Sequence, residues 1–139
     1  MPGMQALKPG LYTVPETGSA GIPQLRGGRC SCGHVFFPMQ TYGCEVCGRT
    51  GEALQPALLE GRGRLVASAR VLMHAAKDRT APFVVASVRL EAGPVVRTLL
   101  AQDTTERLPI GRPLQACLVE VGRTEAGEAI VDLRFSPVN

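Results

Sequence analysis

Four of the chain's cysteines, Cys30, Cys32, Cys44 and Cys47, fall close together as Cys-Ser-Cys-Gly and Cys-Glu-Val-Cys-Gly. Thiolates at such spacing form the ligand set of a closed metal site, because Zn²⁺ prefers a tetrahedron of soft sulfurs and two short turns supply two each. Gly33 and Gly48 follow the pairs, letting the chain turn sharply and aim backbone N–H groups at the sulfurs. The second pair has the usual two-residue spacer. The first has only Ser31, a tighter chelate that leaves His34 as a substitute for one sulfur, with four-cysteine ligation preferred. Rubredoxin-type iron would use the same ligands; zinc is expected because nothing else suggests electron transfer. A site filled by four protein ligands has no open position for Lewis-acid catalysis.

Other reactive side chains lack such a pattern. Cys117 lies among Leu114, Ala116, Leu118 and Val119, where a buried, unreactive thiol is expected. His34 and His74 are the two histidines, and neither sits in a triad pattern. Asp78, Asp103, Glu106 and Asp132 read as solvated carboxylates, and no glycine-rich phosphate loop occurs. No catalytic set is expected in this chain.

The elements that must position the cysteines follow from residue patterning. Residues 1–25 hold Pro2, Pro9, Pro15 and Pro23 with Gly10, Gly18 and Gly21, which favours an extended arm whose Leu7, Leu11, Tyr12, Val14 and Ile22 pack on the chain itself or on a partner subunit. Residues 26–52 form the cysteine-bearing ribbon, with Val35, Phe36 and Phe37 as its short strand and Pro38 as the stop. Residues 53–139 form the barrel domain, and from Ala57 onward the hydrophobic period is two, the mark of half-buried strands. Leu65, Ala67, Ala69, Val71 and Met73 alternate with Arg64, Val66, Ser68, Arg70 and Leu72, and the first set is expected inside. Val84, Ala86, Val88 and Leu90 follow, then a turn at Glu91–Pro94 into Val95–Gln102, and strands over Leu114–Val121 and Ala129–Phe135. Five strands with a tight two–three hairpin and a longer three–four connection match the OB-fold, a five-stranded Greek-key barrel. The fold class expected is therefore mostly β: arm, zinc ribbon, then OB-fold, with an SH3-like or plain sandwich arrangement as the structural competitor.

Composition narrows the partners. Net charge is +3 with the Lys and Arg residues dispersed, and aromatic content is 4% with no Trp. That suits an anionic small molecule as well as nucleic acid, and leaves little for base stacking: Phe83 is the one aromatic on barrel strands two and three. The first residues lack a charged stretch followed by an apolar one, and no run of about 18 apolar residues occurs, so a cytoplasmic protein is expected. The clustered cysteines fit a metal site in a reducing compartment better than a disulfide framework.

The stretches LRGGRCSCGHVFFP, CEVCG, GRGRLVASARVLMH, APFVVASVRLEAGPVV and LPIGRPLQACL together resemble the domain-of-unknown-function family thirty-five, in which a rubredoxin-like zinc ribbon precedes an OB-fold. The departure is the first knuckle, where the family commonly has two residues between the cysteines. The resemblance implies a small non-catalytic partner of a thiolase-fold enzyme, with one structural zinc on Cys30, Cys32, Cys44 and Cys47 and a CoA thioester as ligand of the complex. The arm LKPGLYTVPE is similar to the branch that serves benzoylsuccinyl-CoA thiolysis in anaerobic toluene breakdown. Arg62, Arg64, Lys77, Arg79, Arg89 and Arg97 are candidates for a CoA phosphate, with a solvated face as the plainer reading. A nucleic-acid-binding ribbon and OB-fold is the alternative. A self-sufficient acyl-CoA hydrolase and a redox ribbon rank below both.

Overall fold

The computed structural model describes residues 3–15, 21–73, 81–103 and 107–138. Among the described residues nine strands make two sheets: β1 (Met4–Ala6), β2 (Leu25–Cys30), β3 (Val35–Phe36), β4 (Leu54–Leu59), β5 (Arg62–Val71), β6 (Phe83–Leu90), β7 (Val95–Leu99), β8 (Pro113–Arg123) and β9 (Ala129–Pro137). The small sheet runs β3-β2-β4 and the large one β1-β9-β8-β5-β6-β7.

The large sheet curls into the expected barrel. β5 pairs antiparallel with both β6 and β8, β6 with β7, and β8 with β9. A parallel bridge from Leu100 to Phe135, with the Ala101 N–H donating to the Phe135 carbonyl at 2.9 Å, joins the β7 side to β9. This is the connectivity of a five-stranded Greek-key barrel built from β5 to β9. Its core is aliphatic around the fully buried Phe135: Leu65, Val84, Ala86, Val88, Leu90, Val96, Leu114 and Ala116. In β6 the expected alternation holds, with Val84, Ala86, Val88 and Leu90 inside.

In β5 the alternation breaks. A bulge between Leu65 and Ala67 sets two residues against one on β6 and reverses the phase of the strand. Ala67 and Ala69, expected inside, are exposed, while Ser68 is half-buried opposite Ala86. The strand stops at Val71, and Leu72 and Met73 lie exposed beyond it.

Two further features of the N-terminal half are a strand beyond the expected ribbon boundary and an arm that takes one of its two expected places. Leu54–Leu59, which falls on the barrel side of residue 52, forms β4 and pairs along its whole length with β2 in the ribbon sheet. Pro56 is tolerated there because β4 is an edge strand. The arm packs on its own chain: β1 runs parallel to Ala129–Val131, and Tyr12, 3% exposed, bridges to Leu25 and donates its hydroxyl to the Val131 carbonyl at 2.8 Å. Leu25 and Leu59 belong to the barrel's apolar core, against which Val35, Phe37 and Ala57 also pack, so the ribbon sheet lies on the barrel. Among the described residues no helix is long and apolar enough to cross a membrane.

Candidate metal centre

β2 carries Cys30 at its end, and the chain reverses at once: the Gly33 N–H donates to the Cys30 carbonyl and the Cys30 N–H to the His34 carbonyl, both at 2.8 Å. The second knuckle repeats this, Gly48 N–H to Cys44 carbonyl and Cys44 N–H to Arg49 carbonyl, again at 2.8 Å. Gly33 and Gly48 sit at φ of 100° and 80°, a left-handed conformation that a side chain would strain. The short spacer of the first knuckle therefore still allows a glycine-closed reversal, one residue tighter than that of the second.

The knuckles bring the Sγ atoms of Cys30, Cys32, Cys44 and Cys47 within 4.8 Å of one another. The Cys30–Cys47 and Cys32–Cys44 separations are 3.5 and 3.8 Å. A Zn–S bond of about 2.3 Å gives a tetrahedron with an S–S edge of about 3.8 Å. The cluster thus has the donors and the size to hold a metal ion. Cys30 and Cys44 are buried and Cys32 and Cys47 exposed, above an apolar floor of Phe36, Leu54, Met39 and Ala53. Packing at that floor is close: a Cβ on Gly28 would run into the Phe36 ring and the Met39 sulfur.

Crowding splits the thiols electrostatically. The Cys47 N–H, and then that of Val46, draw Cys44 down to about 6 against the opposing effect of burial. The Cys32 N–H lowers Cys30. At Cys47 the Arg49 N–H acts downward but is outweighed by burial and the three neighbouring sulfurs, which together push it up to about 11. Four sulfurs this close do not all ionise without a cation between them, which is the condition a divalent ion satisfies.

His34 does not join the sulfurs. Its Nε2 lies 2.7 Å from Glu45 Oε1, and its ring stacks on Phe36 with centroids 6.2 Å apart. Arg49 Nη1 donates to Ser31 Oγ at 3.1 Å. These two contacts form a clasp between the knuckles, and they are related by position. The residue after the first cysteine of each knuckle, Ser31 or Glu45, meets the residue after the glycine of the other, Arg49 or His34. Sequence reasoning missed this clasp, although the matching offsets were available to find it.

The remaining candidates are dispersed. Cys117 is half-buried on β8 with its Sγ 3.4 Å from Ser136 Oγ. Asp103, expected to be solvated, takes two hydrogen bonds from Arg70 at 2.8 and 2.7 Å, and Asp132 accepts one from Arg134 at 3.3 Å. Arg62, Arg64, Arg89 and Arg97 are exposed, with Arg64 and Arg89 directly opposite on β5 and β6. Phe83 is buried, so its ring is not offered to a base. His74, Lys77, Asp78, Arg79 and Glu106 lie outside the described residues.

No protein-family model matches the chain. It is 30% identical over 119 residues to a DUF35 domain-containing scaffold protein of Methanothermobacter thermautotrophicus, covering 82% of this chain and 87% of the relative. A DUF35 domain-containing scaffold protein of Pyrococcus furiosus is 28% identical over 118 residues, covering 83% and 84% of the two chains. Among solved structures, the Ltp2-ChsH2(DUF35) aldolase matches with a TM-score of 0.63 at 22% identity, covering 82% of this chain and 84% of that one, which establishes likeness of fold. The share of both chains aligned at 30% identity, with the cysteine ribbon set before the barrel, places this chain in the DUF35-domain family.

Proposed function

We propose that the chain is a non-catalytic scaffold subunit, clamped by one zinc ion on Cys30, Cys32, Cys44 and Cys47, that assembles with a thiolase-type enzyme in the cytoplasm. The observation that carries this reading is the alignment, over most of both chains, with a curated relative named a scaffold protein. The sulfur cluster supports it from the chemistry, since four thiolates close the ion's coordination and leave it a structural role. When bound, the ion supplies cross-linking of the two knuckles, while the Gly33 and Gly48 turns, the His34–Glu45 and Ser31–Arg49 contacts and the Phe36–Leu54 floor orient the ligands.

In this reading the partner supplies the reacting groups, and this chain stabilises it and supports binding and thiolytic cleavage of an acyl-CoA. Benzoylsuccinyl-CoA, the substrate of the family branch that the arm LKPGLYTVPE resembles, is the specific version. Affinity purification from the native host, followed by a thiolysis assay of the recovered enzyme with and without this chain, tests the proposal. A co-purifying thiolase-fold subunit whose activity or stability falls without the chain is expected; recovery of the chain alone, with no effect on such an enzyme, overturns it.

A second reading, a nucleic-acid-binding module, draws support from exposed Arg62, Arg64, Arg89 and Arg97 on neighbouring strands. The buried Phe83 counts against it. A salt-dependent mobility shift with single-stranded DNA or RNA at moderate ionic strength is the outcome that favours this reading.

A further inference from the structure

β7 and β9 meet at the Leu100–Phe135 bridge, and beside it lies a cleft of about 330 Å³ between β7, β9, the arm and the ribbon. Its size falls at the lower end of the roughly 300–1,000 Å³ typical of small-ligand sites. The walls are apolar where the elements converge, with Leu11 from the arm, Phe37 from the ribbon, Val96 from β7 and Leu133 from β9. Tyr12, pinned through its hydroxyl to β9, holds the arm over this opening.

Two cations and one carboxylate line the cleft, a net charge of +1. Lys8 and Arg97 both line it, both are exposed, and among the described residues neither side chain has a hydrogen bond or ion pair. The one carboxylate in the lining, Asp132, already accepts a hydrogen bond from Arg134. An apolar cavity with two uncommitted cations is complementary to a molecule whose apolar body ends in an anion. We propose that this cleft binds a small amphipathic carboxylate, its alkyl or aryl portion against Leu11, Phe37, Val96 and Leu133 and its carboxylate toward Lys8 and Arg97. The site is formed within this chain, and the inference stands independently of any partner enzyme.

Calorimetric titration of the full chain with octanoate, octylamine and octanol, with amide shifts followed by NMR, tests it. Octanoate is expected to bind more tightly than the other two and to shift Leu11, Val96, Thr98 and Leu133. The double substitution Lys8→Ala/Arg97→Ala changes two exposed positions, so the fold is retained, as its melting curve will show. It is expected to weaken octanoate about tenfold while leaving octanol unaffected. Leu11→Glu, which places a carboxylate in the apolar wall, is expected to weaken both. Equal affinity for octylamine or octanol, shifts confined to other residues, undiminished affinity in the double variant, or no octanoate binding in the millimolar range each overturns the proposal.

Discussion

Replacing Tyr12 with phenylalanine removes one oxygen from a site that is 3% exposed and tests how the arm is fastened to the barrel. The hydroxyl donates to the Val131 carbonyl at 2.8 Å and accepts the Lys8 N–H at 3.2 Å. The Val131 carbonyl keeps its bond from the Leu7 N–H at 2.9 Å, and Lys8 is exposed enough for its N–H to reach water. Neither partner is stranded, so the loss is that of two net hydrogen bonds, about 1–2 kcal/mol. In a domain of this size that lowers Tm by roughly 3–8 °C. The pH dependence gives a second handle. Burial, more than the charge of Asp132, pushes the Tyr12 phenol above its ordinary 10.0, while the Lys8 N–H acts in the opposite direction. The native state therefore holds this proton where the unfolded chain has released it. Below pH 10 both states are neutral and the full contribution is present; above it the unfolded state is favoured by ionisation and the contribution declines. Phenylalanine has no such proton, so the stability gap between the native protein and Tyr12→Phe should be constant below pH 10 and narrow above it. Urea unfolding followed by circular dichroism from pH 7 to 11 measures that gap. A gap that stays level across the whole range, or a loss below about 0.3 kcal/mol at neutral pH, refutes a buried, hydrogen-bonded phenol.

Other perturbations probe the ribbon. Gly28→Ala drives a methyl group against the Phe36 ring and the Met39 sulfur and should cost about 1–3 kcal/mol in thermal unfolding. Gly10→Ala, which meets no atom within 4 Å, is the matched control and should change stability by about 0.5 kcal/mol or less. Cys44→Ser should abolish stoichiometric zinc in elemental analysis, whereas Cys117→Ser, outside the sulfur cluster, should retain it. Breaking the clasp with Glu45→Ala and Arg49→Ala should leave zinc stoichiometry unchanged but hasten its transfer to a chromogenic chelator several-fold, since contacts that orient metal ligands govern how firmly the ion is held.

Local features were the most legible. The sulfur cluster is encoded within two short turns, so cysteine spacing and the following glycines suffice to identify it. β6 was equally clear because period-two alternation over Val84, Ala86, Val88 and Leu90 needs no knowledge of its neighbours. In β5 the extra residue at the bulge leaves small apolar side chains on both faces, so Ala67 and Ala69 fit either register and the pattern carries no sign of the reversal. β4 was hidden for a different reason. Pro56 argues against a central strand, and only the long-range pairing with Leu25–Cys30 reveals that Leu54–Leu59 is an edge of the ribbon sheet. Tyr12 meets Val131 across 119 positions of sequence, a contact that no local periodicity encodes.

Native mass spectrometry of the protein isolated from its own host under non-denaturing conditions bears most directly on a zinc-clamped scaffold. A hetero-oligomer that contains this chain with one zinc ion and a thiolase-fold subunit is expected. The chain observed alone, or without a metal ion, contradicts it.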